Sequence, residues 1–445
     1  MSLLNFITHY LTLRFGDILT GQSVLKNLDF LMVSQFWNKS KLIEYQEEKL
    51  RELIVHSVKT VPYYHDLFKN TGIKIVDIQT LADLKKIPIL TKATIKNEGI
   101  DRFTSSAVPK NKMITSSSSG STGEPLFYFS TKDAYSMNLA SNLRGWYWMD
   151  YKLGDKYVKI SQNIRKDFLK RIQDKVSRNL YLASNPLIDS NFIYILKEIE
   201  KYKPKIIRCY PDPLLFLAIF KQNHPEFAYK PKAINTTGNT LYPETREEIE
   251  KAFGCKVFDS YRCEGNSTAF ECPTHTCYHS AEEYGISEIL DEHGNPISSG
   301  AGRLISTDLW NLANPFIRYD TQDYIEVVDT PCACGRKLLR FNKILGRDND
   351  ILTISSGQKF IVHNFTGFFQ VNRPQINQSV SQFQVVQKKN GTIVFRLVVN
   401  NKFNNSVASY IRSYWENELQ SKVIVEQVEN IPLLSTGKRK FIIKE

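Results

Sequence analysis

Residues 116–125 read SSSSGSTGEP, a run of small residues with two possible interpretations, a flexible linker or a loop that holds an anion. A flexible linker of this composition would usually repeat, and this run occurs once. Its flanks are apolar in the manner of paired strands, with Met113 and Ile114 before it and residues 126–129 after it. Small residues between two strands present N–H groups and hydroxyls in one concave turn, the geometry that holds phosphate oxygens. We therefore predict an anion-binding loop. It is not the common P-loop, because Glu124 follows Gly123 where that motif needs lysine.

Length and composition indicate a globular protein of two or more domains. A chain of 445 residues exceeds the size at which one core usually stops growing. With 42% hydrophobic and 12% aromatic residues it can bury a large core, and 23% charged residues is ordinary for such a chain. No run of 18 or more apolar residues occurs, and the first residues carry no small-residue cleavage site. We expect no membrane insertion and interpret the protein as cytoplasmic.

The net charge of +12 raises the question of a polyanionic partner. The basic residues are spread through the chain, and the densest run, residues 164–178, is typical of a solvated helix face. We therefore predict no nucleic-acid partner, although a nucleic-acid binder would reveal itself by steeply salt-dependent binding. An anionic small molecule such as a nucleotide would be attracted to the same charge.

Alternating strand and helix signals predict an α/β domain. Residues 41–61 carry apolar side chains at helical spacing until Pro62, and from residue 204 strands such as PKIIRCY alternate with helices such as PDPLLFLAIFKQN. Such alternation is typical of a largely parallel sheet, whose ligands bind at the carboxyl ends of the strands. Beyond Asn311 the pattern changes to short strands and turns, including the hairpin signal Asn390-Gly391. We place a domain boundary between residues 346 and 347.

Taken in order, the motifs resemble the adenylate-forming (acyl-activating) superfamily, and within it the phenylacetate-CoA ligase and CapK-like branch. VPYYHDLFKNTGI (residues 61–73) and LKKIPILTKATI (residues 84–95) look like the amino-terminal signature of that branch. The resemblance covers nearly the whole chain. It implies a large multi-layer α/β adenylation domain with mostly parallel sheets, residues 1–346, which binds ATP and an acid. It also implies a small, mobile α+β domain, residues 347–445, which carries the adenylation lysine.

The resemblance implies a nucleotide site built from several loops. In SSSGSTGEP the residues that would hold the β- and γ-phosphates of ATP are Ser119, Gly120, Ser121, Thr122 and Gly123. In NTTGNTLYPETREEIEKAFG the residues along the adenine would be Thr237, Gly238 and Asn239. In KVFDSYRCEG, Tyr261 would stack on the adenine and Glu264 would help to coordinate Mg²⁺, while Arg262 stands where the family has glycine.

Three later residues complete the implied nucleotide site. NPFIRYDTQD is similar to the family's ribose motif, which makes Asp323 the acceptor for the ribose hydroxyls, while Asp320 and Gln322 replace the usual arginine and glycine. In the hinge motif ILGRDND, Arg347 would reach the ribose. In IPLLSTGKRKFI, Lys438 would be the catalytic lysine, because a mobile ammonium suits the charge that develops at the α-phosphate.

The cysteines point to metal instead of disulfides. A cytoplasmic chain does not favour a disulfide framework. Tetrahedral zinc would find more than four ligands in Cys272, His275, Cys277, His279, Cys332 and Cys334. Buried thiols without metal are the alternative. The resemblance selects Cys272, His279, Cys332 and Cys334, with His275 or Cys277 able to replace His279. Four protein ligands would make the zinc structural.

The resemblance implies a reaction of ATP with a carboxylic acid to give acyl-AMP and pyrophosphate. The acid pocket would include Tyr135, Tyr210 and Thr236, with Asn138, Trp146 and Pro211 as further candidates. An aromatic lining would suit an aryl acid, yet WYWMD (residues 146–150) could equally be core packing.

The sequence leaves the acceptor open. It is CoA or another thiol such as a carrier, or alternatively an amine in an amide-forming ligase of surface polysaccharide biosynthesis. A nucleotide-binding protein that has lost the chemistry is a further alternative, prompted by Glu124, Arg262 and Gln322. Whether the chain forms a homodimer is also left open.

Overall fold

The computed structural model describes residues 16–17, 21–117, 126–161, 164–185, 187–263, 268–347, 351–354, 359–361, 364–365, 368–369, 374–432 and 440–445. These residues separate into two compact units, with the division between Ile344 and Leu345. The sequence-based boundary lies two residues further along the chain. Among the helices of these ranges, none is both long enough and apolar enough to cross a lipid bilayer.

The first unit is an α/β structure. Its α-helices are α1 (Val24–Ser34), α2 (Lys39–Thr60), α3 (Pro62–Thr71), α4 (Lys92–Glu98), α5 (Lys132–Trp148), α6 (Phe168–Val176), α7 (Asp189–Tyr202), α8 (Pro211–Gln222) and α9 (Pro243–Phe253). Its strands are β1 (Ile114–Ser117), β2 (Phe127–Ser130), β3 (Tyr157–Ser161), β4 (Asn179–Ala183), β5 (Ile206–Cys209), β6 (Ala233–Thr237), β7 (Lys256–Arg262), β8 (Thr268–Glu271), β9 (Tyr278–Ser280), β10 (Gly285–Leu290), β11 (Gly300–Asp308), β12 (Tyr319–Val328) and β13 (Arg340–Arg347).

Within the described residues, eleven of these strands form one sheet in the order β10-β11-β12-β13-β9-β8-β7-β6-β5-β3-β4. Strands β4, β3, β5, β6 and β7 pair in parallel. From β7 to β8 and β9 the pairing is antiparallel, as it is between β10, β11 and β12. The α/β class predicted from the alternating signals is confirmed, and the sheet is parallel in the half that those signals come from.

Local sequence explains where the helices begin and end. The Asn38 side chain caps α2 by accepting a hydrogen bond from the Lys41 N–H, and Val61 is extended because Pro62 follows it. The Thr91 hydroxyl caps α4 in the same way by accepting from the Thr94 N–H. The helices predicted from residue 41 and from Thr91 are therefore present.

The parallel strands are buried on both faces. On one face Val158, Ile207 and Ile234 belong to an apolar core with helix residues such as Leu214 and Phe253. On the other face Ile206, Ala233 and Phe258 pack with aromatic residues at the end of α5, among them Trp146 and Trp148. Alternate residues of each strand therefore face different layers, as the period of two requires.

The flanks of the Ser-rich stretch pair as predicted. Strands β1 and β2 are antiparallel, with Ile114 opposite Ser130 and Ser117 opposite Phe127. The connecting residues 118–125, which include the predicted phosphate loop, lie outside the described residues.

The second unit is α+β, as predicted. It contains β14 (Ile351–Thr353), β15 (Lys359–Ile361), α10 (Pro374–Asn377), β16 (Val380–Gln387), β17 (Ile393–Val399), α11 (Asn405–Leu419), β18 (Val423–Gln427) and β19 (Ile442–Lys444). In its described part four strands form a sheet in the order β18-β17-β16-β19. The central pair is the hairpin signalled by Asn390-Gly391, where Gly391 has a φ of 81°. Helix α11 buries Ile411, Trp415 and Leu419.

Candidate active site and metal cluster

The predicted adenine loop follows β6 at the carboxyl end of the parallel sheet. Thr237 ends β6 beside Ser260 of β7, one residue before Tyr261. Gly238 has a φ of +87°, and a Cβ added there would lie 2.5 Å from Cε1 of Tyr210. Glycine is therefore required both by the backbone conformation and by the closeness of the tyrosine ring. The loop and the predicted acid-pocket residue Tyr210 are in contact.

Asn239 is fixed by a residue that the sequence analysis missed. Its Nδ2 donates to Oδ2 of Asp212 over 2.7 Å, and Asp212 lies in the first turn of α8. The sequence does show an acidic residue directly after Pro211, where the helix begins. Such a residue is usually explained by its favourable charge at a helix amino terminus, so its contact with the loop was not predicted. Asp212 here orients the adenine loop.

The predicted adenine and ribose residues meet. The Tyr261 hydroxyl donates to Oδ2 of the buried Asp323 over 2.6 Å. Burial raises the pKa of Tyr261 well above its usual range, and the neighbouring Asp323 carboxylate raises it further. Two side chains that are 62 residues apart in the sequence therefore form one polar pair, with β7 supplying one and β12 the other.

Both departures from the ribose motif have a local explanation. Gln322 has a φ of +62°, the left-handed region that favours glycine, which the family has at this place. Its N–H donates to Oδ1 of Asp320 over 3.0 Å, and Nε of Arg303 donates to the same oxygen over 2.8 Å. The backbone conformation of the motif is thus kept, and the substituted aspartate pairs with a cation on β11.

Thr236 does not share a face with Tyr210. Its side chain is fully buried, and its hydroxyl donates to Oδ1 of Asp259 over 2.7 Å. Asp259 also accepts from the Tyr278 hydroxyl at 3.0 Å, and burial raises the pKa of Asp259 to about 6. The Thr236 side chain is therefore part of this buried hydrogen-bond network and does not line a pocket together with Tyr210.

The aromatic segment on α5 is core. Trp146 is buried, its Nε1 donates to Oδ1 of Asn235 over 3.2 Å, and its ring packs edge-on against Tyr151 and Tyr157. Of the other candidates on this helix, Asn138 is buried and Tyr135 is 36% exposed. The core interpretation of WYWMD therefore holds for Trp146. Pro211 is also buried, at the start of α8.

Several predicted residues cannot be placed. Glu264, Lys438 and residues 119–123 lie outside the described residues. Arg347 is the last residue of β13.

Cysteine and histidine side chains from two distant segments form a compact cluster. Its members, here called the donor cluster, are Cys272, Cys277, His279 and Cys332, and their donor atoms all lie within 4.8 Å of one another. The Cys272 and Cys332 sulfurs are 3.6 Å apart, and the Cys277 sulfur is 3.9 Å from both the Cys332 sulfur and Nε2 of His279. Ligands at about 2.3 Å from a tetrahedral zinc ion would have sulfurs about 3.8 Å apart. The spacing and the donor types fit zinc.

The cluster differs from the predicted ligand set in one member. Cys277 joins Cys272, His279 and Cys332, whereas Cys334 is not in the mutually close group. The Cys334 sulfur lies 3.1 Å from Nε2 of His279, so it borders the cluster on that side. His275 points elsewhere, with Nδ1 at 3.1 Å from Oε1 of Glu271 and its ring against Phe258.

Comparisons with known proteins agree with the motifs. Protein CapK of Staphylococcus aureus is 24% identical over 417 residues, which is 90% of this chain and 89% of that protein. Phenylacetate-coenzyme A ligase of Thermus thermophilus is 24% identical over 393 residues, 80% of each chain. The crystal structure of 2-hydroxyisobutyryl-CoA ligase in the postadenylation state superposes with a TM-score of 0.74 at 15% identity, covering 93% of this chain and 91% of that one. No family model matches the chain.

The chain is similar over most of its length to CapK and to phenylacetate-CoA ligases, and its fold is that of the adenylate-forming ligases.

In this structure, neighbouring groups contact the members of the donor cluster. The pKa of Cys277 is lowered by its hydrogen bond with Cys272 and by Arg340, whose Nε donates to the sulfur over 3.3 Å. Nδ1 of His279 lies 3.4 Å from the Leu338 carbonyl, and the Thr274 hydroxyl donates to the Cys272 sulfur over 3.1 Å. Groups of this kind orient the ligands of a metal site. The sequence analysis missed Arg340, which is eight residues after Cys332.

Proposed function

We propose that this ligase activates a carboxylic acid with ATP, forming acyl-AMP and pyrophosphate, and then transfers the acyl group to the thiol of CoA. The named relatives support the class of reaction, since phenylacetate-coenzyme A ligases are among the proteins that the chain resembles over most of its length. In the first step a carboxylate oxygen attacks the α-phosphorus, and the bond to pyrophosphate breaks. In the second step the thiol sulfur attacks the acyl carbon, and AMP leaves.

The observation that carries this proposal is the hydrogen bond between Tyr261 and Asp323. It joins the residue proposed to stack on the adenine to the residue proposed to accept the ribose hydroxyls. The adenine loop at Gly238 follows the neighbouring strand, and its contact with Tyr210 puts an aromatic ring at the same end of the sheet. A nucleoside bound here would meet both residues at the carboxyl ends of parallel strands.

The remaining roles follow from the family's motifs. Ser119, Gly120, Ser121, Thr122 and Gly123 would hold the phosphates, Arg347 would reach the ribose, and Lys438 would neutralise charge at the α-phosphate in the transition state. Glu264 would help to hold Mg²⁺, which neutralises phosphate charge. Holding the acid near the α-phosphate and excluding water would supply the remaining rate enhancement.

The donor cluster would hold a structural zinc ion. Four protein donors leave no position for water or substrate, so the ion would stabilise the fold and would not activate a nucleophile. The residues fit that role because they join the turn after β8 and strand β9 to the segment around residue 332, which is more than 50 residues away. Loss of the ion would separate these two segments.

Isotope exchange between pyrophosphate and ATP tests the first step. We expect exchange that depends on one class within a panel of aryl, fatty and amino acids. Lys438→Ala should lower the exchange rate by about 10²–10³-fold, the usual cost of removing one group that stabilises transition-state charge. Lys440→Ala is the matched control, because the hydrogen bond between Lys440 and Gln384 is made by the Lys440 backbone carbonyl, which the substitution keeps. Metal-replete protein that shows no exchange with any acid would be a nucleotide-binding protein without this chemistry.

Acceptors added after adenylation test the second step. CoA should release AMP and give a thioester. If amines or sugar amines release AMP and CoA does not, the chain is an amide-forming ligase with the same adenylation step, which is the second candidate.

A further inference from the structure

Two cations lie side by side in the parallel sheet. Lys159 of β3 is in register with Arg208 of β5, so the two side chains project from the same face. The next residue in register, Asn235 of β6, accepts a hydrogen bond from Trp146, and the Arg208 guanidinium lies 5.9 Å from the Trp146 ring. We call Lys159 and Arg208 the cation row; it faces α5, on the side of the sheet opposite to α8 and α9.

Among the described residues, no carboxylate forms a direct ion pair with the cation row. Neither Lys159 nor Arg208 has an ion pair within 4 Å in the described ranges, and the same is true of Arg262 at the end of β7. Arg165, which stacks on Tyr181 beside Lys159, is by contrast paired with Asp174 over 3.0 Å. Neighbouring like charges in a half-buried place cost stability unless an anion joins them.

The titration of these groups points the same way. Burial and the neighbouring cations Arg208 and Arg165 lower the pKa of Lys159 to about 8, and Asp174, the partner of Arg165, opposes the shift. Burial and the charge of Arg262 lower the pKa of Arg208. The charge of Arg262 therefore reaches Arg208, although Arg262 belongs to β7, the strand that carries Tyr261.

The cation row lies one step from the proposed adenylation site. Arg208 precedes Tyr210 by two residues, and in an extended segment residues i and i+2 share a face about 7 Å apart. On β7, Ser260 is near Asn235, with 3.3 Å between the Ser260 hydroxyl and Nδ2, so Arg262 follows on that same face. The three cations therefore lie on the sheet face that Tyr210 continues, next to the proposed adenylation site.

We propose that the acid activated by this enzyme carries a second anionic group, and that Lys159 and Arg208 bind that group, with Arg262 at its edge. The second group is a carboxylate, a phosphate or a sulfate, since each accepts several charge-assisted hydrogen bonds. This assignment rests on the proposed adenylation of a carboxylic acid. An aryl or fatty acid without a second charge would leave the cation row without an anionic partner among the described residues.

Thermal-shift titration of the full chain with matched acids tests the assignment by binding alone. The probes are butyrate against succinate and benzoate against isophthalate, each pair differing by one carboxylate. We expect the dicarboxylate of each pair to bind about 10-fold or more tightly than the monocarboxylate, because hydrogen bonds to charged groups contribute about that much to affinity. Arg208→Gln and, independently, Lys159→Gln should abolish that preference, while Arg165→Gln should keep it because Arg165 has its own carboxylate.

The outcomes separate this inference from the proposed function. Equal binding within each pair, or a dianion preference that survives both substitutions, overturns the inference whatever the exchange assay shows. The inference is also overturned if CoA raises the melting temperature, Arg208→Gln removes that rise, and the substitution leaves the binding of the acids unchanged. The cation row would then bind the phosphates of the acceptor. A preference for the dianion that requires both cations supports the inference. If the exchange assay then finds no activated acid, the proposed adenylation is wrong and the anion site remains.

Discussion

Two regions of the first unit each collect side chains of one chemical kind. The donor cluster brings together groups that bind a metal cation, whereas the cation row brings together groups that bind an anion. The donor cluster is closed by two chain segments and by Arg340 and Leu338. The cation row is half-buried at the side of a proposed substrate pocket. Under the two proposals, a resident ion would complete the charge set of the donor cluster, and a ligand that binds and leaves would complete that of the cation row.

The largest expected effect comes from opening the donor cluster. Cys332→Ser should remove the metal and lower the free energy of unfolding by roughly 4 kcal/mol or more, since metal binding to a structural site is coupled to folding. Elemental analysis and denaturant unfolding measure the two effects together. Cys255→Ser is the control, because the Cys255 thiol lies outside the cluster. Wild-type protein that contains no zinc after metal-replete expression would disprove the site.

The pH dependence of stability tests the cation row. The folded pKa of Lys159, about 8, lies below its ordinary 10.5, so between these values the native state binds fewer protons than the unfolded state. The buried charge of Lys159 therefore lowers the free energy of unfolding by its full amount below pH 8. This loss disappears as the pH rises towards 10.5. Lys159→Met should therefore be more stable than the wild type by roughly 2 kcal/mol at pH 7, allowing for the partial exposure of the side chain. That advantage should shrink between pH 8 and 10; a constant difference would contradict the prediction.

Arg208→Gln should have an effect of the opposite sign to that of Cys332→Ser. Removing one of two neighbouring cations should raise the free energy of unfolding of the ligand-free protein by about 1 kcal/mol. Urea unfolding in low salt measures this, and high salt should reduce the gain where solvent reaches the pair. If the variant loses several kcal/mol instead, Arg208 is a packing residue against Trp146 and the comparison between the two regions fails.

The smallest effect provides a reference for both regions. Gln322→Gly should stabilise the protein by about 0.5–1 kcal/mol, because the backbone at residue 322 is in the left-handed region. Thermal unfolding should show the same gain with and without metal and with and without a dicarboxylate. A gain that depends on either ligand would mean that the residue 322 turn is coupled to one of the two regions.

Much of the first unit was predictable because its signals are local. The helices at α2, α8 and α9 and the strands at β5, β6 and β7 follow from periodicity and from Pro62, Pro211 and Pro243. The period of two also places Thr236 and Thr237 on opposite faces, which explains why the Thr236 side chain joins Asp259. The alternation of side chains along β6 would therefore have predicted that Thr237, and not Thr236, faces the pocket.

Other features depend on contacts that a sequence does not contain. Lys159 and Arg208 are neighbours because β3 and β5 pair although β4 lies between them in the chain. Spacing alone could not choose between Cys277 and Cys334, since both are short turns away from a second ligand. The left-handed backbone of Gln322 could not be predicted, because glutamine rarely takes a glycine conformation, although it can do so at a modest cost.

The contact between Gly238 and the Tyr210 ring has a consequence for attempts to broaden the range of acids. Trimming Tyr210 to admit bulkier substrates would also remove the wall against which the adenine loop rests. Variants selected for a new acid would then show a changed Michaelis constant for ATP, so redesign of the two specificities would have to proceed jointly.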